Sequence, residues 1–178
     1  TTYTLTGESN GCSTTSTLLI TVNPLPTPTI TASGATTFCA GGSVTLTASA
    51  ASTYLWSTGA TTQAITVSSS GNYSVTVTDG NSCSGSSAAT TVTVNANPTP
   101  SIAASGSTTF CAGGSVTLTA SSASSYLWSP NNETTQSITV STSGTYNVFV
   151  TDANGCSATS SNTTVTVNAT PTPTITAS

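Results

Sequence analysis

The sequence predicts an all-β chain of tandem sandwich domains, and three observations carry that reading. Val44, Leu46 and Ala48 alternate with Thr45 and Thr47, and similar runs recur along the chain. A period of two suits strands with one buried and one hydroxyl-bearing face. Glycines such as Gly34, Gly59, Gly71 and Gly80 separate these runs, as turns require. The string FCAGGSVTLTAS fills Phe38 to Ser49 and again Phe110 to Ser121, so the chain is repetitive. No stretch supports an amphipathic helix of useful length.

Each element follows from the repeat. In the first full copy, Ile30 with Ala32 marks one strand and Val44 to Ala48 a second. Tyr54, Leu55 and Trp56 form a third, and Ala64 to Val67 another. Tyr73, Val75 and Val77 alternate with Ser74, Thr76 and Thr78, and Val92 with Val94 closes the copy. Phe38, Cys39 and Trp56 recur as Phe110, Cys111 and Trp128, while Tyr73 and Cys83 recur as Tyr146 and Cys156. One residue is inserted between, where STGATTQ from Ser57 becomes SPNNETTQ from Ser129; such a site marks a surface turn. Short strands with a Trp in the third and a Tyr opening the penultimate one describe an immunoglobulin-like sandwich.

Boundaries follow the Pro-rich strings NPLPTP, NANPTP and NATPTP. Residues 1–23 read as the closing strands of a truncated repeat, 24–96 as repeat one and 97–169 as repeat two. Residues 170–178 read as a linker and the first strand of the next repeat, so the sequence looks like a window on a longer polypeptide. The remnant YTLTGESNGC is one residue shorter than YSVTVTDGNSC from Tyr73 and YNVFVTDANGC from Tyr146. Glu8 also stands where Asp79 and Asp152 stand, so an irregular hairpin is expected. Linkers such as Asn95 to Pro100, short and with two prolines, favour an extended rod advancing on the order of 40 Å per repeat.

Composition excludes several functions. Lys, Arg and His are absent, and Glu8, Asp79, Glu133 and Asp152 give a formal charge of -4. Nucleic acid and anionic lipid headgroups both need cationic partners, so neither is expected. No apolar run is long enough to span a bilayer. The usual catalytic bases and phosphate clamps are missing, and the carboxylates fall in separate repeats, so no enzyme and no cofactor is expected. Asp79 with Asn81, and Asp152 with Asn154, form a weak calcium pattern; turn capping explains them better. Trp56 and Trp128 read as core pins, with sugar stacking as the lesser alternative. Phe149 replaces Thr76 on a hydroxyl-lined face and could make lateral contacts between rods.

Five cysteines without histidine or a C-x-x-C pair read as disulfide partners in an oxidising compartment. Strand direction puts Cys39 and Cys83 at opposite ends of one sandwich. This favours a Cys39 to Cys156 bridge between adjacent repeats, with Cys12, Cys83 and Cys111 paired outside the segment. Pairing within repeats, Cys39 with Cys83 and Cys111 with Cys156, stays open as the alternative. Loop entropy separates the two by only about 1 kcal/mol.

YLWSTGATTQAITVSSSGNYSVTVTDGNSC and YLWSPNNETTQSITVSTSGTYNVFVTDANGC resemble the Ig-like repeats of very large surface adhesins of the Bacteroidetes, gliding-motility adhesins among them. The likeness lies in the W-S, T-T-Q, G-x-Y and D-x-N-x-C signposts and covers both full repeats and both remnants. It implies type IX secretion, display at the cell surface, and adhesion or filament formation. The expected function is a structural stalk that presents an adhesive tip; a carbohydrate-binding module acting through its loops is the alternative. Expected partners are neighbouring repeats, including lateral or head-to-tail self-association, and a polysaccharide or other surface ligand that the sequence does not specify.

Overall fold

A computed structural model describes residues 1–175 and is all-β. Two compact units divide the chain: residues 1–36 with 44–92, and residues 37–43 with the chain from Thr93 onward. The next repeat's first strand, expected within residues 170–178, lies partly outside the described residues. Residues 170–175 form no strand.

The first unit opens with strands β1 (Thr2–Ser9) and β2 (Cys12–Leu19), paired antiparallel from Thr2 opposite Leu19 to Ser9 opposite Cys12. This corrects the irregular hairpin expected from the missing residue. Asn10 and Gly11 adopt φ of 54° and 79°, so a two-residue turn with both centres left-handed closes the ladder. Tyr3 to Gly7 has one residue fewer than Tyr73 to Thr78, and the ladder nevertheless runs unbroken to the turn. Every residue of both strands is exposed, Tyr3, Leu5 and Leu18 included.

Along repeat one follow β3 (Ile30–Ala32), β4 (Thr37–Cys39), β5 (Val44–Ala48), β6 (Thr53–Trp56), β7 (Ala64–Val67), β8 (Gly71–Tyr73), β9 (Val75–Thr78), β10 (Ser84–Ser86) and β11 (Thr90–Asn95). One sheet has the order β3-β5-β7, another β10-β9-β6, and β8 pairs with the first half of β11. Val44, Leu46, Ala48, Trp56, Val67, Tyr73, Val75, Val77 and Val92 are buried, while the intervening Thr residues stay accessible. Alternation in sequence has become two faces, as a pleated strand dictates.

The second unit contains β4 and the second half of β11, which run parallel with Cys39 opposite Asn95. It continues with β12 (Ile102–Ala104), β13 (Thr109–Cys111), β14 (Val116–Ala120), β15 (Ser125–Ser129), β16 (Ser137–Val140), β17 (Gly144–Thr151), β18 (Ser157–Thr159) and β19 (Thr163–Asn168). The sheet β12-β14-β16 packs against β13-β19-β17-β15, with β18 also on β17. This is the immunoglobulin-like sandwich. Its core comprises Val116, Leu118, Ala120, Trp128, Ile138, Val140, Tyr146, Val148, Val150 and Val165.

Two aromatic side chains hold the sandwich at polar points. The Trp128 indole Nε1 donates to the Thr135 carbonyl at 2.8 Å, as Trp56 does to Thr62. The Tyr146 hydroxyl donates to the Thr142 carbonyl at 3.1 Å, and Tyr73 to Ser69 at 2.9 Å. These are tyrosine corners. The residue inserted in repeat two lengthens a turn: Trp56 N–H donates to the Ala60 carbonyl, whereas Trp128 N–H reaches Glu133.

The continuous strand expected from Tyr73 to Thr78 is broken at Ser74, although its counterpart β17 is unbroken. At both places the partner strand leaves the ladder and a serine fills the gap. Val75 N–H donates to Ser87 Oγ, and Val148 N–H to the buried Ser160 Oγ, each at 3.1 Å.

Candidate functional site, the Cys39 to Cys156 crosslink

Cys39 ends a three-residue strand whose position is set by the parallel ladder to β11. Beyond it, Ala40 N–H donates to the Asn95 carbonyl at 2.8 Å, and Gly42 N–H returns to the Cys39 carbonyl at 3.0 Å. Gly41 takes φ of 94°, which a side chain would oppose. A Cβ at Gly42 would stand 3.0 Å from the Phe38 ring. The A-G-G string thus folds the chain tightly around Cys39.

Cys156 ends a loop organised by Asp152. The Asp152 Oδ1 accepts N–H bonds from Asn154 at 2.8 Å and Cys156 at 2.9 Å, and Asp152 N–H donates to the Cys156 carbonyl at 2.9 Å. Asp79 makes the same set with Asn81 and Cys83. Both carboxylates therefore serve their own loops through Oδ1. Asn81 and Asn154 contribute backbone N–H groups to these caps. Among the described residues, no group of three or more His, Cys, Asp or Glu side chains is placed to hold a metal.

Within the second unit, Cys39 and Cys156 form a disulfide with a Cα separation of 5.5 Å across 117 residues of chain. That spacing lies inside the range an unforced bridge permits. By sequence, Cys39 belongs to repeat one and Cys156 to repeat two, so the bond joins consecutive repeats covalently. The structure does not bring Cys39 to Cys83 or Cys111 to Cys156. Cys12 and Cys111 are exposed thiols and Cys83 is half-buried.

Other residues singled out in the sequence are dispersed. Trp56 and Trp128 are buried, which removes them as sugar-stacking surfaces. Phe149 is 43% exposed and lies opposite Leu127, itself 44% exposed, on the outer face of β17 and β15. Two surface hollows follow the β1–β2 hairpin. Gly7, Glu8, Ser9, Cys12, Ser13 and Thr14 line one, with Glu8 its one acidic residue; Tyr3, Thr4, Leu5, Ser16, Thr17 and Leu18 line the other. Sequence reading missed the strand that carries Cys39. Its only signal is Thr-Phe-Cys, too short to show a period.

No protein-family model matches the chain, and no curated protein matches it. Among solved structures, the chain is similar to a crystal structure of murine CEACAM1b at 15% identity and a TM-score of 0.38, covering 79% of this chain and 99% of that one. A chain from a crystal structure of the mouse coronavirus receptor-binding domain complexed with its murine receptor gives 14% identity, a TM-score of 0.38 and coverage of 79% and 99%. Fibronectin(III)-like modules of Clostridium thermocellum CbhA give 14% identity, a TM-score of 0.37 and coverage of 79% and 94%. At such TM-scores these likenesses imply no partner or activity, and the fold rests on strand order and register.

Proposed function

We propose that the chain is a spacer segment of an extracellular repeat protein, a stalk that holds an adhesive end away from the cell surface. The observation that carries this reading is the Cys39 to Cys156 disulfide, which ties one sequence repeat to the next. A chain under tension is weakest where modules join. A bond closing so long a loop also removes much of the freedom of the unfolded chain. The disulfide supports an oxidising compartment outside the cytosol.

Composition agrees with a passive role. With no Lys, Arg or His, the chain offers no cleavage site to trypsin-like proteases and little acid-base chemistry. In this reading residues 24–96 and 97–169 are two spacer modules, flanked by pieces of further modules at 1–23 and 170–178. The resemblance to Bacteroidetes surface adhesins adds type IX export and surface display. Glycan-array screening tests the reading: a spacer binds no polysaccharide above background. Saturable binding that is lost on loop substitution would replace the spacer with a recognition module.

A further inference from the structure

Two of the unpaired cysteines sit in the conformations of the bonded pair. Cys111 repeats the surroundings of Cys39: it lies opposite Asn168 in a parallel ladder, Ala112 N–H donates to the Asn168 carbonyl at 2.8 Å, and Gly114 N–H returns to the Cys111 carbonyl at 3.0 Å. Gly113 has φ of 93°, against 94° at Gly41. Cys83 repeats the loop of Cys156, with Asp79 Oδ1 accepting from Asn81 and Cys83 at 2.8 and 2.9 Å. The bonded Cys156 is fully buried, whereas Cys83 is half-buried and Cys111 is exposed. The same backbone that positions a bonded sulfur thus holds each of these thiols, and each remains reachable.

We propose that Cys111 and Cys83 are complementary half-sites that join a second copy of this chain head to tail, Cys111 of one molecule bonding to Cys83 of the next. The pairing is heterologous, strand cysteine to loop cysteine, because the bonded pair in this structure is of that kind. A heterologous contact that does not close on itself produces open chains rather than dimers. The oxidant is a low-molecular-weight disulfide such as oxidised glutathione. One protein thiolate attacks it, forming a mixed disulfide and releasing one glutathione. The second protein thiolate then attacks the protein sulfur of that mixed disulfide and expels the other glutathione. One protein S–S bond forms, the glutathione S–S bond breaks, and both protons end on glutathione. The proposal stands whether the chain is a spacer or a recognition module.

Complementary variants test it in a glutathione redox buffer, all in a Cys12→Ser background. The parent forms a ladder of oligomers on a non-reducing gel. Cys83→Ser alone and Cys111→Ser alone stay monomeric. Mixed together they form a dimer whose only intermolecular peptide links Cys83 to Cys111, exceeding homodimer by about tenfold or more, because docking raises the local thiol concentration. Retention of the Cys39–Cys156 peptide in each variant shows that the fold is intact. Homodimers as abundant as the mixed dimer would overturn the proposal. So would an undimerised mixture whose thiols both react freely with iodoacetamide. Neither result would touch the spacer reading, which glycan binding decides.

Discussion

Cys39 lies directly opposite Asn95 in a parallel ladder, and the Asn95 carbonyl takes the N–H of the next residue, Ala40, at 2.8 Å. The strand that closes repeat one therefore positions the sulfur that bonds to repeat two. Replacing both partners, Cys39→Ser with Cys156→Ser, is expected to lower unfolding stability of the second unit by about 2–4 kcal/mol. Guanidinium denaturation of the double variant beside the reduced and oxidised parent measures this. Oxidised parent and double variant should differ, and reduced parent and double variant should agree.

Asp152 organises the loop that carries the other sulfur. Asp152→Ala leaves two backbone N–H groups without their acceptor and is expected to cost about 1–2 kcal/mol. Asp152→Asn keeps an Oδ1 in place and should recover most of that loss. Hydrogen exchange at the Asn154 and Cys156 amides gives the local readout, faster in the Ala variant and near parental in the Asn variant.

The Tyr146 hydroxyl ties the start of β17 to the Thr142 carbonyl across a tight connection. Tyr146→Phe keeps the ring in the core and removes that bond together with the 2.9 Å hydrogen bond between the phenol and Thr142 Oγ1. The expected loss is about 1 kcal/mol. Tyr146→Ala, which also empties a buried ring site, should cost about 3–5 kcal/mol. Thermal unfolding of the two variants separates the corner hydrogen bond from the packing.

The β1–β2 hairpin presents Tyr3, Leu5 and Leu18 to solvent, although Tyr146 and Val148, the counterparts of Tyr3 and Leu5, lie in the core of the second unit. Leu5→Ser with Leu18→Ser is expected to leave unfolding stability within about 0.5 kcal/mol. Light scattering at high concentration should show weaker self-association than the parent.

The sequence announced the strands that have a period to show. Val44 to Ala48 and Val116 to Ala120 alternate cleanly, and each buries its Val, Leu and Ala. Ser84 to Ser86 and Ser157 to Thr159 were illegible because three small or hydroxyl-bearing residues carry no strand signal. Their pairing is imposed by the neighbouring β9 and β17. Ser160 was equally hidden: one more serine among many, it matters only where a ladder gap needs a hydroxyl. The regular N-terminal hairpin is hidden because a strand that has lost a residue still pairs without a break when a tight Asn-Gly turn sets its register. Partner choice for Cys39 could not come from composition or loop size, which scarcely separate the two connectivities. It depends on which end of a sandwich each cysteine occupies, and that is encoded only in strand direction.

Stretching single molecules between their termini, with and without reductant, tests most directly whether the crosslink carries load between repeats. With the disulfide intact, the chain between Cys39 and Cys156 is shielded from force. Reduction should then release it, adding about 400 Å of contour length for 117 residues at ~3.5 Å each. An oxidised molecule that extends to the same contour length as a reduced one would contradict the account.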